Sequence, residues 1–147
     1  MKYSAIAIAN AFITQSNNGK TNNLTPMKLQ KLMFFAQSWY LKSNNTPLFD
    51  GYFERWQYGP VLPEIYHEFK IFGARNITSF GFSMWNEFQT VPSTDEQVIK
   101  FLEQIINAYG GYSGTQLSWM THQPETAWSK GKVGTLINFQ EMSEGKV

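Results

Sequence analysis

The segment LTPMKLQKLMFFAQSWYLKS, residues 24–43, constrains the fold more than any other part of the chain. Because a helix with a wide apolar face has to be covered by other elements, such a segment belongs in the interior. Thr25 is a good N-cap, and Pro26 then takes the first helical position, where its missing N–H is not needed. The sequence therefore predicts a central helix that begins at Pro26. Its apolar face is formed by Leu29, Leu32, Met33, Phe35, Ala36, Trp39 and Tyr40.

Four other segments carry helix signals. Residues 5–15 have apolar side chains at helical spacing, and residues 63–72 begin at Pro63 and stop before Gly73. Residues 97–109 follow a capping-box pattern made by Ser93 and Glu96, and Ser113 can cap a short helix in residues 115–123. Residues 77–91 mix aromatic, β-branched and glycine residues, which favours a small hairpin.

These segments together predict the fold class and the domain organisation. A chain of 147 residues buries roughly 68–70% of its unfolded surface when it folds as one unit. We expect a mainly α, compact single-domain helical fold with a minor β-hairpin element, spanning residues 1–147.

The compartment is constrained by the cysteine count and by the N-terminus. The chain has no cysteine, which excludes disulfide frameworks, zinc–thiolate sites and cysteine nucleophiles and suits a reducing compartment. A lysine followed by a short apolar stretch at the N-terminus suits a secretory signal, but Asn10 interrupts the apolar run and the spacing favours a buried amphipathic helix. No segment approaches the roughly 20 apolar residues of a membrane span. We expect a soluble, cytoplasmic protein.

The charge is unevenly distributed along the chain. Residues 1–42 contain five lysines and no acidic residue, whereas the remainder contains seven basic and eleven acidic residues. The simpler interpretation is that Lys2, Lys20, Lys28, Lys31 and Lys42 are solvated on helix faces. The alternative is a basic face that binds DNA, although no helix-turn-helix pattern for reading bases is evident.

Catalytic and metal-binding patterns are weak. Glu64, His67 and Glu68 share much of one helix face, but a carboxylate-bridged metal site also needs a counterpart on another helix. The only other histidine is His122, and Pro124 disrupts its helical spacing to Glu125. No nucleophile elbow, P-loop or dinucleotide fingerprint occurs. We therefore expect no catalytic, cofactor-binding or metal-binding residues and no enzymatic activity, and a metal-dependent enzyme is the last of three alternatives.

Three ordered motifs resemble the Panacea domain, the antitoxin domain of SocA-like and phage-associated GepA-type proteins. They are a Lys-Leu-Gln-Lys-Leu helix, a Trp-x-Tyr-Gly-Pro-Val turn and a Thr-His segment that ends in Trp, and the resemblance covers about residues 3–130. One departure is Ala127, where family members commonly have proline. The matching positions are Lys28, Leu29, Gln30, Lys31, Leu32, Trp56, Tyr58, Gly59, Pro60, Val61, Thr121, His122 and Trp128.

The resemblance implies a mostly helical antitoxin that neutralises a cognate protein toxin encoded by a neighbouring gene. SocA-like members are also described as adaptors that deliver a toxin to an ATP-dependent protease. The residues leave two other hypotheses open, which are DNA binding at the chain's own operon and self-association into a homodimer. We expect specificity to reside in the surface of residues 77–91, where the candidate toxin-binding residues are Phe80, Phe82, Trp85 and Phe88.

The burial of the motif residues can also be predicted. Leu29 and Leu32 lie on the apolar stripe and are expected in the core, whereas Gln30 and Lys31 are expected to point away from it. Trp56 and Tyr58 alternate with a polar residue, so both are expected on the inner side of one strand. Gly59 is expected to allow a backbone geometry or a close approach that a side chain would block. His122 and Trp128 are expected to close the core, with the imidazole bonded to backbone.

Overall fold

The computed structural model describes residues 3–147, and within them the fold is mainly α, as predicted. The helices and strands are, in chain order, α1 (Ala5–Asn17), α2 (Pro26–Asn44), β1 (Glu54–Trp56), β2 (Gly59–Val61), α3 (Pro63–Phe69), α4 (Glu96–Tyr109), α5 (Gly114–Thr121) and α6 (Phe139–Glu144). Single 3₁₀ turns follow α3 at Lys70–Phe72 and precede α6 at Trp128–Lys130.

Helix α2 is the centre of the fold. It contacts α1, α3, α4, α5, α6 and β2, and every residue from Lys28 to Ser38 is buried. Nearly all of the buried apolar side chains of the described residues form one contiguous cluster around it. Aromatic rings join the layers: Phe34 meets Phe53 edge-on at 5.3 Å, and Phe35 stacks on Tyr109 at 4.0 Å. The prediction of a central helix is confirmed.

The helix starts follow local capping chemistry. Thr25 Oγ1 accepts from the Lys28 N–H at 3.2 Å, with Pro26 in the first helical position, as predicted. Ser113 caps α5 in a full capping box with Gln116. The predicted box of Ser93 and Glu96 is wrong. Glu96 is already the first residue of α4, and the cap is Asp95, whose carboxylate accepts from the Val98 N–H at 3.3 Å.

The hairpin lies elsewhere than predicted. Strands β1 and β2 pair antiparallel with Glu54 opposite Val61 and Trp56 opposite Gly59, and residues 77–91 contain no strand. The reason is that the backbone of residues 77–91 bonds to side chains of the helices. Asn10 accepts from the Gly81 N–H and donates to the Gly81 and Gln89 carbonyls at 2.8–2.9 Å. These bonds take the place of pairing with a neighbouring strand. The segment is therefore irregular, although its aromatic, β-branched and glycine content resembles that of a strand.

The C-terminal segment closes the fold against the hairpin and α2. Leu136 forms an isolated antiparallel bridge with Glu54, and the buried Arg55 donates to several groups of residues 127–141. Lys42 ties α2 to the end of α6 by donating to the carbonyl oxygens of Ser143 and Gly145 at 2.7 and 2.6 Å. None of the helices in residues 3–147 combines the length and apolar composition that a membrane crossing requires.

Candidate functional site

The Trp-x-Tyr-Gly-Pro-Val motif forms the β1–β2 hairpin, with Gln57 and Tyr58 as its two-residue turn. Gly59 has a φ of +113°, and a Cβ placed on it would lie 2.8 Å from both Lys31 Cε and Thr121 Oγ1. Only glycine meets both the backbone angle and the close approach, as predicted. Pro60 and Val61 are buried in β2 behind this turn.

The expectation that Trp56 and Tyr58 both lie in the core is wrong. Tyr58 is 63% exposed and Trp56 is half-buried. The prediction treated the two as alternate residues of one strand, but β1 ends at Trp56 and the chain reverses at the next two residues. Tyr58 therefore projects from the turn, where the inward and outward alternation of a strand no longer applies.

Side chains of the Thr-His segment clamp the turn through its carbonyl groups. Trp128 Nε1 donates to the Trp56 oxygen at 2.9 Å, His122 Nε2 contacts the Gln57 oxygen at 2.8 Å, and Ser118 Oγ donates to the Tyr58 oxygen at 2.6 Å. The imidazole also lies against the Trp128 ring, with centroids 4.0 Å apart. Three consecutive carbonyls are thus fixed from outside the hairpin, and the predicted backbone bonding of His122 is confirmed.

All five residues of the Lys-Leu-Gln-Lys-Leu motif are buried. Leu29 and Leu32 are fully buried, as predicted, but the expectation that Gln30 and Lys31 point away from the core is wrong. The Gln30 amide donates to the Leu62 oxygen at 3.0 Å and accepts from the Leu62 N–H at 2.9 Å. Because α2 is covered on all sides, its polar side chains bond to backbone of neighbouring elements in place of water.

This packing buries some of the lysines that were predicted to be solvated or to form a basic face, and it leaves others exposed. Lys28 and Lys31 are 2% and 1% exposed, Lys20 and Lys42 are exposed, and Lys2 lies outside the described residues. Lys28 Nζ donates to the Asn22 and Gly110 oxygens at 2.8 and 2.6 Å. Burial lowers the pKa of Lys28, and it lowers the pKa of Lys31 to about 8. Two charges of the expected basic face are therefore inside the protein.

The four candidate toxin-binding rings lie on the segment that we call the aromatic segment, residues 80–88. Their exposed fractions are 37% for Phe80, 44% for Phe82, 78% for Trp85 and 52% for Phe88. Phe88 packs edge-on against Phe80 and Phe82, at 5.5 and 6.1 Å between centroids. Glu68 accepts from the Phe82 N–H at 2.6 Å. Phe80, Phe82 and Phe88 therefore form one exposed apolar cluster, and the exposed Trp85 lies on the same segment. The backbone of this segment is bonded to α1 and α3.

The acidic face of α3 serves the fold. Glu68 anchors the aromatic segment, and His67 is exposed beside the Tyr66 ring. Desolvation, followed by repulsion from the carboxylates of Glu68 and Asp50, raises the pKa of Glu64. Within residues 3–147, no group of three or more histidine and acidic side chains is placed to hold a metal ion.

The family comparison agrees with this arrangement of motifs. The family model described as "Antitoxin SocA-like, Panacea domain" matches residues 29–129, which include the hairpin, its clamp and the aromatic segment. The chain belongs to this antitoxin family.

A curated relative extends the comparison. The chain is 28% identical over 109 residues to a protein named "Antitoxin SocA" from Caulobacter vibrioides strain NA1000 / CB15N. The alignment covers 71% of this chain and 58% of that protein, so the chain spans less than two thirds of the relative's length. No solved structure matches this Panacea-family chain.

Two functional side chains were missed from sequence. Asn10, which is fully buried, stands out in the sequence only as a polar residue within an apolar run, yet its side chain bonds to the backbone at Gly81 and Gln89. Arg55 carries no motif signal, because it follows Glu54 in β1 and has the sequence context of an ordinary charged strand residue. Its burial follows from the acceptors that residues 127–141 bring to it.

Proposed function

We propose that this chain neutralises a cognate protein toxin, encoded by a neighbouring gene, by binding it directly through the aromatic segment. The observation that carries the proposal is the exposure of four aromatic rings on a bonded backbone. Isolated exposed apolar residues are ordinary, but a contiguous group of rings marks an interaction surface. Trp and other large aromatic side chains are also the residues that most often dominate binding energy.

The order of the segment favours binding. Asn10 and Glu68 bond to its backbone at Gly81 and Phe82, and Asn10 also bonds to the adjoining Gln89, so the backbone that carries the rings is ordered before a partner arrives. A surface ordered in advance loses less conformational entropy on association, and more of the contact energy appears as affinity. A mobile loop of the same composition would bind more weakly.

The relative named as an antitoxin supports the same role, although this chain spans 58% of that protein. Delivery of the toxin to an ATP-dependent protease is a further step that would follow direct binding. DNA binding is less favoured than it was from the sequence, because Lys28 and Lys31 are buried and cannot reach phosphates.

The test is co-expression with the product of each immediately neighbouring gene, scored by growth and by co-purification. Trp85→Ala removes the most exposed ring of the aromatic segment, and Trp119→Ala on α5 is the matched control, since Trp119 is 66% exposed. We expect rescue by the wild type and by Trp119→Ala, and weakening of about tenfold or more by Trp85→Ala.

The outcomes separate the function from the surface. If no neighbouring product is toxic and none forms a complex with the wild type, neutralisation by direct binding is wrong. If a toxin binds and Trp85→Ala protects as well as the wild type, the function stands and the aromatic segment is not the interface. Loss of binding in Trp119→Ala alone would assign the interface to α5.

A further inference from the structure

A concave surface lies between α2, the hairpin and α3. Its cavity has a volume of about 250 Å³, and its walls include the rings of Trp56, Tyr58 and Tyr66. Drug-sized ligands occupy pockets of about 300–1,000 Å³, so this cavity suits one inserted side chain. We call it the hairpin pocket.

The charges that line the hairpin pocket are both positive. They belong to Lys31 and Lys70, and no acidic residue lines it. Tyr58 at 63% exposure and Lys31 at 1% mark its outer and inner ends. The nearby carboxylate of Glu54 is not part of the lining and accepts from Trp56 Nε1 at 2.8 Å. The pocket therefore combines aromatic walls with a cation at its inner end.

Lys31 is bonded much less completely than a buried ammonium requires. An ammonium has three donors, and the hydrogen bond found for Lys31 Nζ within residues 3–147 is to the Pro60 oxygen at 3.3 Å, beyond the usual range. Lys28, three residues earlier in α2, donates at 2.8 and 2.6 Å to two carbonyls. A buried charge without an opposite charge is costly, and such groups persist where they serve a function.

We propose that the hairpin pocket receives an acidic side chain of the toxin, whose carboxylate pairs with the Lys31 ammonium while the adjoining part of the toxin packs on Trp56, Tyr58 and Tyr66. This inference rests on the proposed function and adds to it a second contact of defined chemistry. A carboxylate supplies the acceptors that Lys31 lacks and complements the charge of Lys70. The clamped carbonyls of Trp56, Gln57 and Tyr58 keep the outer wall rigid.

The first experiment tests the pocket without a toxin. The full chain is titrated with 3-phenylpropanoate, which joins a carboxylate to an aromatic ring, and with 3-phenylpropanamide, its neutral counterpart of similar size. The readout is the NMR signal of the Trp56 indole N–H, assigned by its loss in Trp56→Phe. We expect a saturable shift with the carboxylate and binding at least about tenfold weaker with the amide. Equal effects of both compounds, or no effect of either, would overturn the proposal.

The matched variant for both experiments is Lys31→Met. Replacing a buried charge by an apolar side chain of similar length is commonly neutral or stabilising, so this variant should remain folded, as urea unfolding will verify. It should abolish the preference for the carboxylate over the amide. Persistence of that preference in Lys31→Met would place the binding site elsewhere.

The second experiment uses the toxin that co-purifies with the wild type. Lys31→Met should weaken that complex by about tenfold or more, and one Asp→Asn or Glu→Gln change on the toxin should weaken binding to the wild type but not to Lys31→Met. Equal binding by Lys31→Met overturns the pocket proposal and leaves the proposed function intact. If no neighbouring product binds the wild type, both proposals fail as stated, and the titration alone reports whether the pocket takes a carboxylate.

Discussion

Replacing Arg55 by methionine should remove a large part of the stability of this fold. Arg55 is 2% exposed, and its guanidinium joins the hairpin to the C-terminal segment. It donates to the oxygens of Trp128 (3.0 Å), Thr135 Oγ1 (3.1 Å), Leu136 (2.6 Å), Ala127 (3.0 Å) and Glu141 Oε2 (2.9 Å). Methionine fills much of the same space but donates none of these bonds.

The expected loss follows from what remains buried. Removing one partner of a buried ion pair costs about 3–5 kcal/mol, because the other partner and the carbonyls lose their donors. Glu141 is itself partly exposed, with 26% of its side chain accessible, so its carboxylate can recover water. The carbonyl oxygen of Ala127, a residue that is 2% exposed, has less access to water. We therefore expect a loss of about 3–4 kcal/mol, against a typical total of about 5–15 kcal/mol.

Urea unfolding followed by tryptophan fluorescence measures this loss. With a slope of about 1–3 kcal/mol per molar, the midpoint should fall by roughly 2 M. Arg75→Met is the control: Arg75 is exposed and donates only to the nearby Phe72 and Ile71 oxygens, so it should cost less than about 0.5 kcal/mol. A loss below about 1 kcal/mol for Arg55→Met would refute the view that the guanidinium holds the C-terminal segment.

The same contact has a pH signature. Desolvation raises the pKa of Glu141, but three favourable interactions outweigh it and leave this pKa below its usual value. They are the hydrogen bond from the Asn138 backbone, the hydrogen bond and charge of Arg55, and the charge of Lys130. A carboxylate with a lowered pKa in the folded state stabilises the fold above its unfolded pKa and loses that contribution as the pH falls through the folded value. The acid-induced loss of stability should be smaller in Arg55→Met.

Two further predictions concern the hairpin and α2. Gly59→Ala should cost about 2–4 kcal/mol, because it combines a left-handed φ with contacts to Lys31 and Thr121. Gly134→Ala is the control, because its φ of +93° is also strained but no atom lies within 4 Å of the added Cβ. Equal losses of stability for the two variants in urea unfolding would show that the contacts of Gly59 with Lys31 and Thr121 do not matter. Between about pH 8 and 10, the stability of the wild type should rise relative to Lys31→Met. The reason is that Lys31 has a folded pKa of about 8, against 10.5 for an ordinary lysine, and so loses its proton first in the folded state; parallel pH profiles would contradict this.

Much of the helical framework could be read from neighbouring residues. A cap depends on groups within three residues of each other, so Thr25 with Pro26 and Ser113 with Gln116 specify the starts of their helices locally. The apolar spacing of residues 29–40 identified the central helix for the same reason. The failure at Ser93 shows the limit of this reading, since Asp95 offers equivalent chemistry two residues later.

The candidate site was only partly accessible from sequence. The motif positions and the four rings of the aromatic segment could be identified, because aromatic residues in a polar, glycine-containing stretch are a local feature. The outward position of Tyr58 could not, since it depends on where β1 ends. The hairpin pocket could not be identified either, because it joins residues of α2, the hairpin and α3.

The sequence by itself determined the family, the central helix and most helix starts, all of which rest on local spacing. Only the tertiary structure decided where the polar residues lie. Gln30 and Arg55 are buried because backbone groups or a carboxylate 32 to 86 residues away along the chain approach them. A polar side chain is stable inside only where such a partner arrives. Whether such a partner lies close enough depends on how the elements pack, and no local sequence pattern encodes it.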